Sequence, residues 1–395
     1  MCAHMGAALY TGLKAAGSRS EAIDVREGMR KKKKGNSTPL VSVIVPAYNG
    51  AETVLSSVES VVRQTYRPIE LIVIDDSSFD ATYENLCSYK EELRADLLKV
   101  FRHDENVGLA ATLNHGLKES RGEYVLVLHQ DCELIGNDWI TKSLKYFSND
   151  RIAVVTGYYG IPPENLSFVV KAFGVLRKQY HLLRSDVSVE EITFSEGKCD
   201  VYRRDVLEKI GGFPERYKIA GEDLVVSYNL RREGYILLKA YDLPVVQRFG
   251  HTASNFLGNF RKEFTFGKAM GGVFLQFKSF VFKGLASSSY AKSRALHRAG
   301  QPFYIGLLLL LATLSTLTGS QPIVYVTFLM LVFRYLYYVI RVYGELRNLS
   351  SVSNKSSKHP LLESAIIAIL GFPTDLLYTS GFVYGLILYQ KGVRP

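Results

Sequence analysis

Short apolar runs alternate with helix-forming stretches from residue 41 onward, and this alternation constrains the fold more than any other feature of the chain. Short, mostly apolar runs bounded in this way are typical of strands. Strands separated by helices pair mostly in parallel. The predicted fold class is therefore α/β, a mostly parallel sheet flanked by helices, with strands at 41–45, 69–74, 98–101, 124–128 and 152–155.

The stretch after the first predicted strand has the spacing of a helix that packs on a sheet. Its apolar residues recur at positions i, i+1, i+4, i+7 and i+8, which form one stripe of a helix. We expect this stripe to face the sheet. It consists of Val54, Leu55, Val58, Val61 and Val62.

Acidic residues stand where predicted strands end. Asp75 and Asp76 follow the second strand, Asp131 follows the fourth, and the pair Glu222 and Asp223 comes after a glycine further along. In an open parallel sheet, ligands bind beyond the carboxyl ends of the strands. Carboxylates placed there can accept hydrogen bonds from a nucleotide base and hold a divalent cation for a diphosphate. The pattern favours a sugar-nucleotide site.

A dinucleotide-binding domain is disfavoured by the residues after the first strand. Such a domain carries the glycine fingerprint GxGxxG at this point. This chain instead reads Val-Pro-Ala-Tyr-Asn-Gly over residues 45–50.

The composition excludes a disordered chain and disfavours a nucleic-acid-binding protein. The chain has 395 residues, 47% of them hydrophobic, and a formal net charge of +10. This is enough for one large domain with further apolar segments. The grouped lysines and arginines fit a membrane surface better than nucleic acid, because no base-stacking aromatic residues or recognition module accompany them. The groups lie at 30–34, 278–298 and 341–358.

The four cysteines show no paired or metal-binding spacing. Cys2, Cys87, Cys132 and Cys199 are scattered, so neither a disulfide framework nor a zinc site is expected. A reducing, cytosolic environment is the expectation.

The two ends of the chain differ in character. Residues 1–39 have no sustained period and no secretory signal, so we expect a flexible or weakly helical basic extension before a domain at 40–270. Residues 271–300 are predicted to lie in a membrane interface, with an amphipathic helix at 274–282. Residues 301–395 are predicted to form a transmembrane region.

Three apolar stretches in this last region are long enough to be membrane spans or parts of one. Residues 303–317 and 323–340 are predicted to form a transmembrane hairpin. Residues 365–389 form either a third span or a re-entrant pair of half-helices, because Pro373 and Asp375 interrupt them. Basic residues before the first span and after the second place the sheet domain in the cytoplasm by the positive-inside rule.

A charged residue falls near the middle of the second predicted span. An unpaired charge there is costly, and Asp375 is the nearest acid within an apolar stretch, so we expect Arg334 and Asp375 to pair. The alternative is that Arg334 extends to the membrane surface from a tilted or shifted helix.

Residues 41–268 resemble the inverting glycosyltransferases of family 2, which have the GT-A fold. The resemblance depends on the order and spacing of several motifs, none of which is specific alone. It implies a membrane-anchored, non-processive member, because Gln247-Arg248-Phe249 only partly matches the motif of processive polysaccharide synthases. The motifs are Val43–Asn49, Asp75-Asp76-Ser77-Ser78, Asn106-Val107-Gly108-Leu109 leading to Asn114, His129-Gln130-Asp131 and Gly221-Glu222-Asp223.

By this resemblance, the loops after the first strands would bind the donor nucleotide. Asp76 would accept a hydrogen bond from the base, and Asp75 would either assist the ribose or hold the loop. The Asp-Asp-Ser-Ser tetrad can equally be a helix N-cap turn, and both roles are compatible. The other donor-binding residues implied are Pro46, Ala47, Tyr48, Asn49, Asn106, Gly108 and Gln130.

The metal motif departs from the family pattern of two aspartates that bracket one residue. The first position is His129, and Asp131 in the second matches the aspartate that coordinates Mg²⁺ or Mn²⁺. His129 is expected either to contact the ribose or to have no ligand role. A coordinating histidine would favour Mn²⁺ over Mg²⁺.

The remaining implied residues act on the acceptor and on the leaving diphosphate. Asp223 matches the base that deprotonates the acceptor hydroxyl, whereas Glu222 either takes part at the donor site or only interacts with the helix dipole. His251 and Arg261 would close over the diphosphate, with His251 as a second metal ligand. Alternatively, Arg261 and Lys262 only face lipid headgroups.

The sequence thus predicts a metal-dependent, inverting glycosyltransferase. It would transfer a sugar from a nucleotide-sugar donor to a lipid-linked or other glycan acceptor at the cytoplasmic face of a membrane, in contact with lipids and not with nucleic acid. A polyprenyl-phosphate glycosyltransferase is one alternative. A catalytically inactive scaffold subunit that binds sugar nucleotides is the other.

Overall fold

A sheet of nine strands forms the centre of the protein. The computed structural model describes residues 38–93, 97–161, 166–177, 188–217, 221–248, 255–277, 289–352 and 359–391. Most of the extension predicted for residues 1–39 therefore lies outside the described residues. The strands are β1 Val41–Ala47, β2 Ile69–Asp75, β3 Leu98–Arg102, β4 Tyr124–Leu128, β5 Cys132–Leu134, β6 Ile152–Ile161, β7 Val189–Ile192, β8 Cys199–Arg203 and β9 Ile236–Gln247.

Helices lie between these strands and after them. Those within the sheet domain are α1 Val54–Val62, α2 Thr82–Leu93, α3 Leu109–Glu119, α4 Trp139–Lys145, α5 Phe168–Leu176, α6 Arg204–Lys209 and α7 Glu222–Arg232. Those that follow it are α8 Phe256–Gln276, α9 Ser289–Thr318, α10 Gln321–Val352, α11 Pro360–Ile369 and α12 Gly371–Gln390.

The sheet is mostly parallel. Its order is β3-β2-β1-β4-β8-β6-β9-β5, with β7 beside the first part of β9. The parallel pairs are β1 with β2, β1 with β4, β2 with β3, and β6 with β9. β8 is antiparallel to β4 and β6, and β5 and β7 are antiparallel to β9. Six of the nine strands therefore run in one direction, and the predicted fold class is confirmed.

Two apolar cores cover the two faces of the sheet. Val43 and Val45 belong to the core that includes the buried residues of α1, and Ile44 belongs to the core that includes α3. Successive side chains of one strand point to opposite faces, so β1 serves both cores. Each fully buried valine or isoleucine contributes about 1.5–3 kcal/mol relative to an exposed one.

The apolar runs predicted the first strands closely. β1 to β4 lie within two residues of their predicted ends, and β6 begins at the predicted residue but continues to Ile161. The stripe of α1 is also as predicted, since Val54, Val58 and Val61 are fully buried. The other four strands were not predicted, because they are short or carry charged residues and a proline.

Three helical segments of the described chain are long and apolar enough to cross a membrane. They are Gly300–Thr318, Gln321–Arg347 and Pro360–Gln390, and the first two contain the predicted spans. The third consists of α11 and α12, with a break at Leu370. Pro373 explains the break, because its ring lacks an N–H and crowds the carbonyl group four residues earlier.

Helices α8 and α12 pack backbone against backbone. Gly267 and Gly271 on α8, and Gly381 and Gly385 on α12, have the four-residue spacing of close helix pairs. A Cβ atom built on Gly267 would lie 2.0 Å from the carbonyl oxygen of Tyr378. One built on Gly381 would lie 2.0 Å from the carbonyl oxygen of Phe264. The interface therefore excludes even a methyl group at these positions.

Both ends of α8 contact the sheet domain. Near its beginning, Glu263 Oε1 accepts a hydrogen bond from Arg177 Nε at 2.7 Å. At its end, Phe277 packs with Val225, and the Tyr217 hydroxyl donates to Gln276. The interfacial helix predicted at 274–282 falls partly outside the described residues, and its first residues belong to α8 and the position after it.

Helix α5 connects the sheet domain to the apolar helices. Ala172, Val175 and Leu176 form one buried cluster with residues of α10 and α11, including Val342 and Ile367. Lys171 also forms an ion pair with Glu363. The sheet domain is thus packed directly on the segments that are long enough to span a membrane.

Candidate active site

The carboxyl ends of three neighbouring parallel strands bring the predicted site residues to one edge of the sheet. β1 ends at Ala47, opposite Asp75 of β2, and β4 continues into His129. The backbone N–H of Asp76 donates to the Ala47 carbonyl oxygen at 2.7 Å. The loops after β1, β2 and β4 therefore line the same edge, as expected for a ligand site in an open sheet.

The loops after β1 and β2 are joined by hydrogen bonds. The Asn49 N–H donates to Ser78 Oγ at 2.9 Å, and the Phe79 N–H donates to Asn49 Oδ1 at 3.0 Å. Asn49 and Ser77 both have positive φ angles, of 48° and 62°. Asparagine tolerates this conformation better than most residues, and its side chain here also links the two loops.

Gln130 fixes the first loop to the end of β4. Its Oε1 accepts from the Tyr48 N–H, and its Nε2 donates to the Tyr48 carbonyl oxygen, both at 2.9 Å. A Cβ atom on Gly50 would lie 2.1 Å from Gln130 Oε1, so a larger residue there would displace the Gln130 side chain. Tyr48 keeps 43% of its surface exposed beside Pro46 and Ala47. Its ring is therefore available to a ligand at the strand ends.

Asp76 organises the loop before α3. Its Oδ1 accepts from the Val107 N–H at 3.0 Å, and its Oδ2 accepts from the Gly108 N–H at 2.9 Å. Asn106 Nδ2 donates to the Asp76 carbonyl oxygen at 3.2 Å. Asp76 is 4% exposed, and its carboxylate holds these backbone groups in place.

Asp75 holds the loop between β2 and α2. Its Oδ2 accepts from the Ser78 N–H at 3.2 Å and lies 3.3 Å from Arg102 Nε. Its Oδ1 is buried and has no hydrogen-bond partner among the residues that the structure describes. Of the two predicted roles, loop support is the one with contacts in the structure.

Two histidines extend the Asp76 network. His103 Nδ1 lies 2.8 Å from Asp76 Oδ1, and His103 Nε2 lies 2.9 Å from His115 Nδ1. The pKa of His115 is lowered, first by burial and then by the neighbouring His103. Neither histidine was predicted as a site residue, although His103 directly follows β3 and His115 lies in α3.

Asp131 lies in a polar network at the ends of β4, β8 and β9. Its Oδ2 accepts from Gln247 Nε2 at 2.8 Å, and Gln247 Oε1 accepts from Lys198 Nζ at 3.1 Å. Lys262 of α8 is close enough that the charges of Asp131 and Lys198 affect its pKa. Lys198 was not predicted, and only its position before a strand could have indicated it.

His129 is adjacent to this network. Its N–H donates to the Lys198 carbonyl oxygen at 2.9 Å, and its Nε2 is buried without a hydrogen-bond partner among the described residues. Burial lowers the pKa of His129, while the carboxylate of Asp131 acts in the opposite direction. We expect a neutral imidazole at neutral pH.

The donor groups at this edge fit a metal ion that is shared with a ligand. Within the described ranges no cluster of three or more His, Cys, Asp or Glu side chains could hold a metal ion alone. Mg²⁺ is often bound by one or two carboxylates together with water and substrate phosphates. Asp131 can supply such a carboxylate. His251, the predicted second ligand, lies outside the described residues.

Glu222 and Asp223 begin helix α7 at the same edge. A Cβ atom on Gly197, the residue before Lys198, would lie 3.1 Å from the Asp223 Cβ, which places Asp223 next to the Lys198 strand end. Glu222 is buried, and burial followed by the charge of Asp223 raises its pKa to about 8. Glu222 is therefore largely neutral at pH 7. The helix N-terminus favours a negative charge on Asp223.

Arg261 is a predicted site residue, whereas Arg248 belongs only to the partial processive-synthase motif, and the two have different surroundings. Arg261 is exposed on α8, one residue before Lys262. Arg248 forms an ion pair with Glu133, which also pairs with Arg63, so these three residues form a separate surface cluster. Glu133 is thus engaged by two arginines.

The comparisons with known proteins agree with this geometry. Residues 42–211 match the family model of Glycosyl transferase family 2. The chain is 28% identical over 245 residues to the glycosyltransferase AglE of Haloferax volcanii, which covers 61% of this chain and 76% of that protein. It is 28% identical over 218 residues to the O-antigen chain rhamnosyltransferase RfbN of Salmonella typhimurium, which covers 53% of this chain and 66% of that protein.

A solved structure shares the fold. The mannosyltransferase PcManGT from Pyrobaculum calidifontis, in complex with GDP-Man and Mn²⁺, superposes with a TM-score of 0.55 and 18% identity. The superposition covers 87% of this chain and 92% of that chain. The alignments thus span about three quarters of AglE and just under two thirds of RfbN.

The sheet order and this superposition show a GT-A-like fold, and the described structure has carboxylates at the ends of its parallel strands. This fold agrees with the match of residues 42–211 to the family model of Glycosyl transferase family 2, which covers less than half of the chain.

Proposed function

We propose that this glycosyltransferase moves a sugar, with inversion, from a nucleotide-sugar donor to a lipid-linked saccharide at the cytoplasmic face of a membrane. The observation that carries this proposal is the common location of Asp76, Asp131 and Asp223 at one sheet edge, in a domain packed on apolar helices. RfbN, by its name a rhamnosyltransferase of O-antigen chains, supports a glycan acceptor.

The donor nucleotide would bind over the loops after β1 and β2. The exposed ring of Tyr48 can pack against the base, and Pro46, Ala47 and Asn49 shape the loop beneath it. Asp76 would accept a hydrogen bond from the base in addition to its contacts with Val107, Gly108 and His103, since a carboxylate has about four acceptor sites. Asn106 and Gly108 would take part through the loop that Asp76 holds.

Asp131 would hold Mg²⁺ or Mn²⁺ together with the donor diphosphate, and the ion would stabilise the negative charge of the leaving group. His251 would complete the ligand set. PcManGT was solved with Mn²⁺, which supports a divalent ion in this position. The neutral His129 lies beside Asp131 and adds no negative charge to the site.

Asp223 would act as the general base. The acceptor hydroxyl would give its proton to the Asp223 carboxylate while its oxygen forms a bond to the anomeric carbon. The bond from that carbon to the diphosphate oxygen breaks on the opposite face, and its electron pair leaves with the diphosphate. A buried, largely neutral Glu222 avoids a second negative charge beside this base.

The packing of the sheet domain on the apolar helices supports a membrane-bound acceptor. α5 is buried against α10 and α11, and α8 runs from the Lys262 side of the site along α12. A lipid-linked acceptor cannot leave the bilayer, so an active site held beside the membrane suits it.

The base assignment is tested with Asp223→Asn. We expect turnover to fall by about 10²- to 10⁴-fold, with donor binding and thermal unfolding unchanged. The matched control is Asp205→Asn, an exposed aspartate in the first turn of α6 at the opposite edge of the sheet.

The reaction is measured with a panel of nucleotide sugars, first by thermal stabilisation with Mn²⁺ and then by transfer to lipid-linked saccharides. A ligand at 100 times its dissociation constant stabilises a protein by about 2.7 kcal/mol, which is easily detected. Native turnover by Asp223→Asn would exclude it as the base. Retained transfer to polyprenyl phosphate alone would instead indicate a phosphate acceptor, which needs little base catalysis.

A further inference from the structure

His103 is held at both of its ring nitrogens. Its backbone N–H continues the pairing of β2 with β3 by donating to the Asp75 carbonyl oxygen at 2.9 Å. Nδ1 lies 2.8 Å from Asp76 Oδ1, and Nε2 lies 2.9 Å from Nδ1 of His115. His115 is on α3, where its ring packs against Phe101. The imidazole of His103 is therefore fixed between a strand end and a helix.

These contacts determine which nitrogen of His103 donates to Asp76. A carboxylate only accepts hydrogen bonds, so Nδ1 carries the proton that faces it. If the His103 ring is neutral, its Nε2 accepts from the Nδ1–H of His115. If the ring is protonated, Nε2 donates to His115 instead. The hydrogen bond from His103 to Asp76 has the same direction in both states.

The hydrogen bonds to Asp76 use most of its acceptor capacity. Oδ1 accepts from the Val107 N–H at 3.0 Å and from His103. Oδ2 accepts from the Gly108 N–H at 2.9 Å. A carboxylate has about four acceptor sites, which are divided equally between its two oxygens. After these three hydrogen bonds, one site remains for a ligand, and it is on Oδ2.

The bases of nucleotide sugars present different edges to such an acceptor. Uracil and thymine present one imide N–H, between two carbonyl groups. Guanine presents a ring N–H beside an amino group, and a carboxylate pairs with both donors only through both of its oxygens. Cytosine and adenine have a ring nitrogen beside their amino group, and the lone pair of this nitrogen would face the carboxylate. Only the imide edge matches one free site on Oδ2.

We propose that the donor is a uridine or thymidine diphosphate sugar, and that His103 determines this choice by occupying the second acceptor site on Asp76 Oδ1. This inference rests on the proposed function, in which Asp76 contacts the donor base. Stacking on the exposed ring of Tyr48 would not distinguish the bases, because every base has a π-face. His103 is thus a positioning residue that acts through Asp76, and His115 holds its ring in place.

Removal of the His103 donor should change the preference among bases, and not only the affinity for all of them. His103→Leu leaves a second free site, on Oδ1 of Asp76, so that guanine can pair with both oxygens. His103→Asn keeps an N–H near the position of Nδ1 and should keep the native preference. His115→Leu should act in the same direction as His103→Leu, because the His103 ring loses the partner that holds it. A purely structural role of His103 would weaken the binding of every nucleotide to the same degree.

The experiment uses nucleoside diphosphates as probes and the full-length protein in detergent with Mn²⁺. Titration calorimetry compares UDP, dTDP, GDP, CDP and ADP for the native chain, the three variants and the control His359→Leu. His359 is an exposed histidine that directly precedes α11, outside the sheet domain.

The expected result is a difference between bases that depends on His103. The native chain should bind UDP or dTDP at least about tenfold more tightly than GDP, CDP or ADP, because each of these leaves a polar group of the base without a partner. In His103→Leu the preference over GDP should fall about tenfold. His103→Asn and His359→Leu should keep the native preference.

Two results would overturn the inference. One is a native chain that binds GDP, CDP or ADP as tightly as it binds UDP and dTDP. The other is an unchanged preference over GDP in His103→Leu or, if that variant does not fold, in His115→Leu. If either occurs, the assignment of the base fails and the proposed function stands. If no nucleoside diphosphate binds to the native chain under any condition, the proposed function fails as well.

Discussion

Arg334 and Asp375 form a buried ion pair between two segments that are long enough to cross a membrane. Arg334 Nη2 lies 2.7 Å from Asp375 Oδ2, and its Nε donates to the same oxygen at 2.8 Å. The other oxygen of this fully buried carboxylate accepts from Tyr338 and Gln301. The pairing predicted from the sequence is confirmed, and the alternative that Arg334 extends to the membrane surface is wrong.

Removal of one partner should destabilise the apolar helices. Arg334→Met leaves Asp375 buried with neutral partners only, and breaking such a pair costs about 3–5 kcal/mol. We expect a marked fall in the thermal unfolding temperature of the protein in detergent. The double variant Arg334→Met/Asp375→Asn removes both charges and should recover most of the loss. A double variant as unstable as the single one would show that the charge pair is not the cause.

The glycine contacts between α8 and α12 should tolerate no added methyl group. Gly381→Ala would place a Cβ atom 2.0 Å from the Phe264 carbonyl oxygen, so the helices would have to separate. Overpacking of this kind costs about 1–3 kcal/mol. The effect is measured as a lower unfolding temperature in detergent.

Gly344→Ala is the matched control for this contact. Gly344 lies within α10, and a Cβ atom there meets nothing within 4 Å. Alanine in an unobstructed helical position stabilises by about 0.4–1 kcal/mol. Equal effects of the two substitutions would mean that the backbone contact between α8 and α12 does not contribute to stability.

The sequence predicted the parallel core well because its signal is local. β1, β2 and β4 are buried on both faces, so their residues are mostly apolar. β9 carries Lys239, Asp242 and Pro244 yet forms a strand, because β6, β5 and β7 pair with it along different parts of its length. The residues of β9 alone do not indicate that three other strands pair with it.

Some residues of the candidate site could likewise be predicted from a local signal, and others could not. Aspartates after strands could be recognised, because their position follows from the strand itself. The contacts of Lys198 with Gln247, and of Asp76 with His103, join residues far apart in the chain and depend on loop conformations. Pairing of Arg334 with Asp375 was predictable despite its long range, since an apolar segment offers few partners.

Asp76 should be required for folding as well as for donor binding. Asp76→Asn replaces one acceptor oxygen with an NH₂ group, which would face the backbone N–H of Val107 or Gly108. The loss of charge-assisted hydrogen bonds should reduce the free energy of unfolding by about 2–4 kcal/mol. Asp104→Asn, an exposed change nearby, should leave the unfolding temperature unchanged. If both variants unfold like the native chain, the contacts of Asp76 in the loop are not important for stability.

Glu222 should make stability depend on pH in a direction opposite to that of a salt-bridged acid. Its pKa is about 4.5 in the unfolded chain and is raised to about 8 in the folded one, first by burial and then by Asp223. The folded state therefore binds more protons between these pH values. Its relative stability is highest below pH 4.5 and falls as the pH rises towards 8.

Glu222→Gln removes this titration, because a glutamine side chain stays neutral at every pH. We expect the variant to unfold at nearly the same temperature as the native chain at pH 5, and at a higher temperature at pH 8.5. The difference reflects a few kcal/mol of ionisation cost that only the native chain bears. Glu91→Gln, at an exposed position of α2, should show no such pH-dependent gain. A pH-independent difference between Glu222→Gln and the native chain would mean that the pKa of Glu222 is not raised in the folded protein.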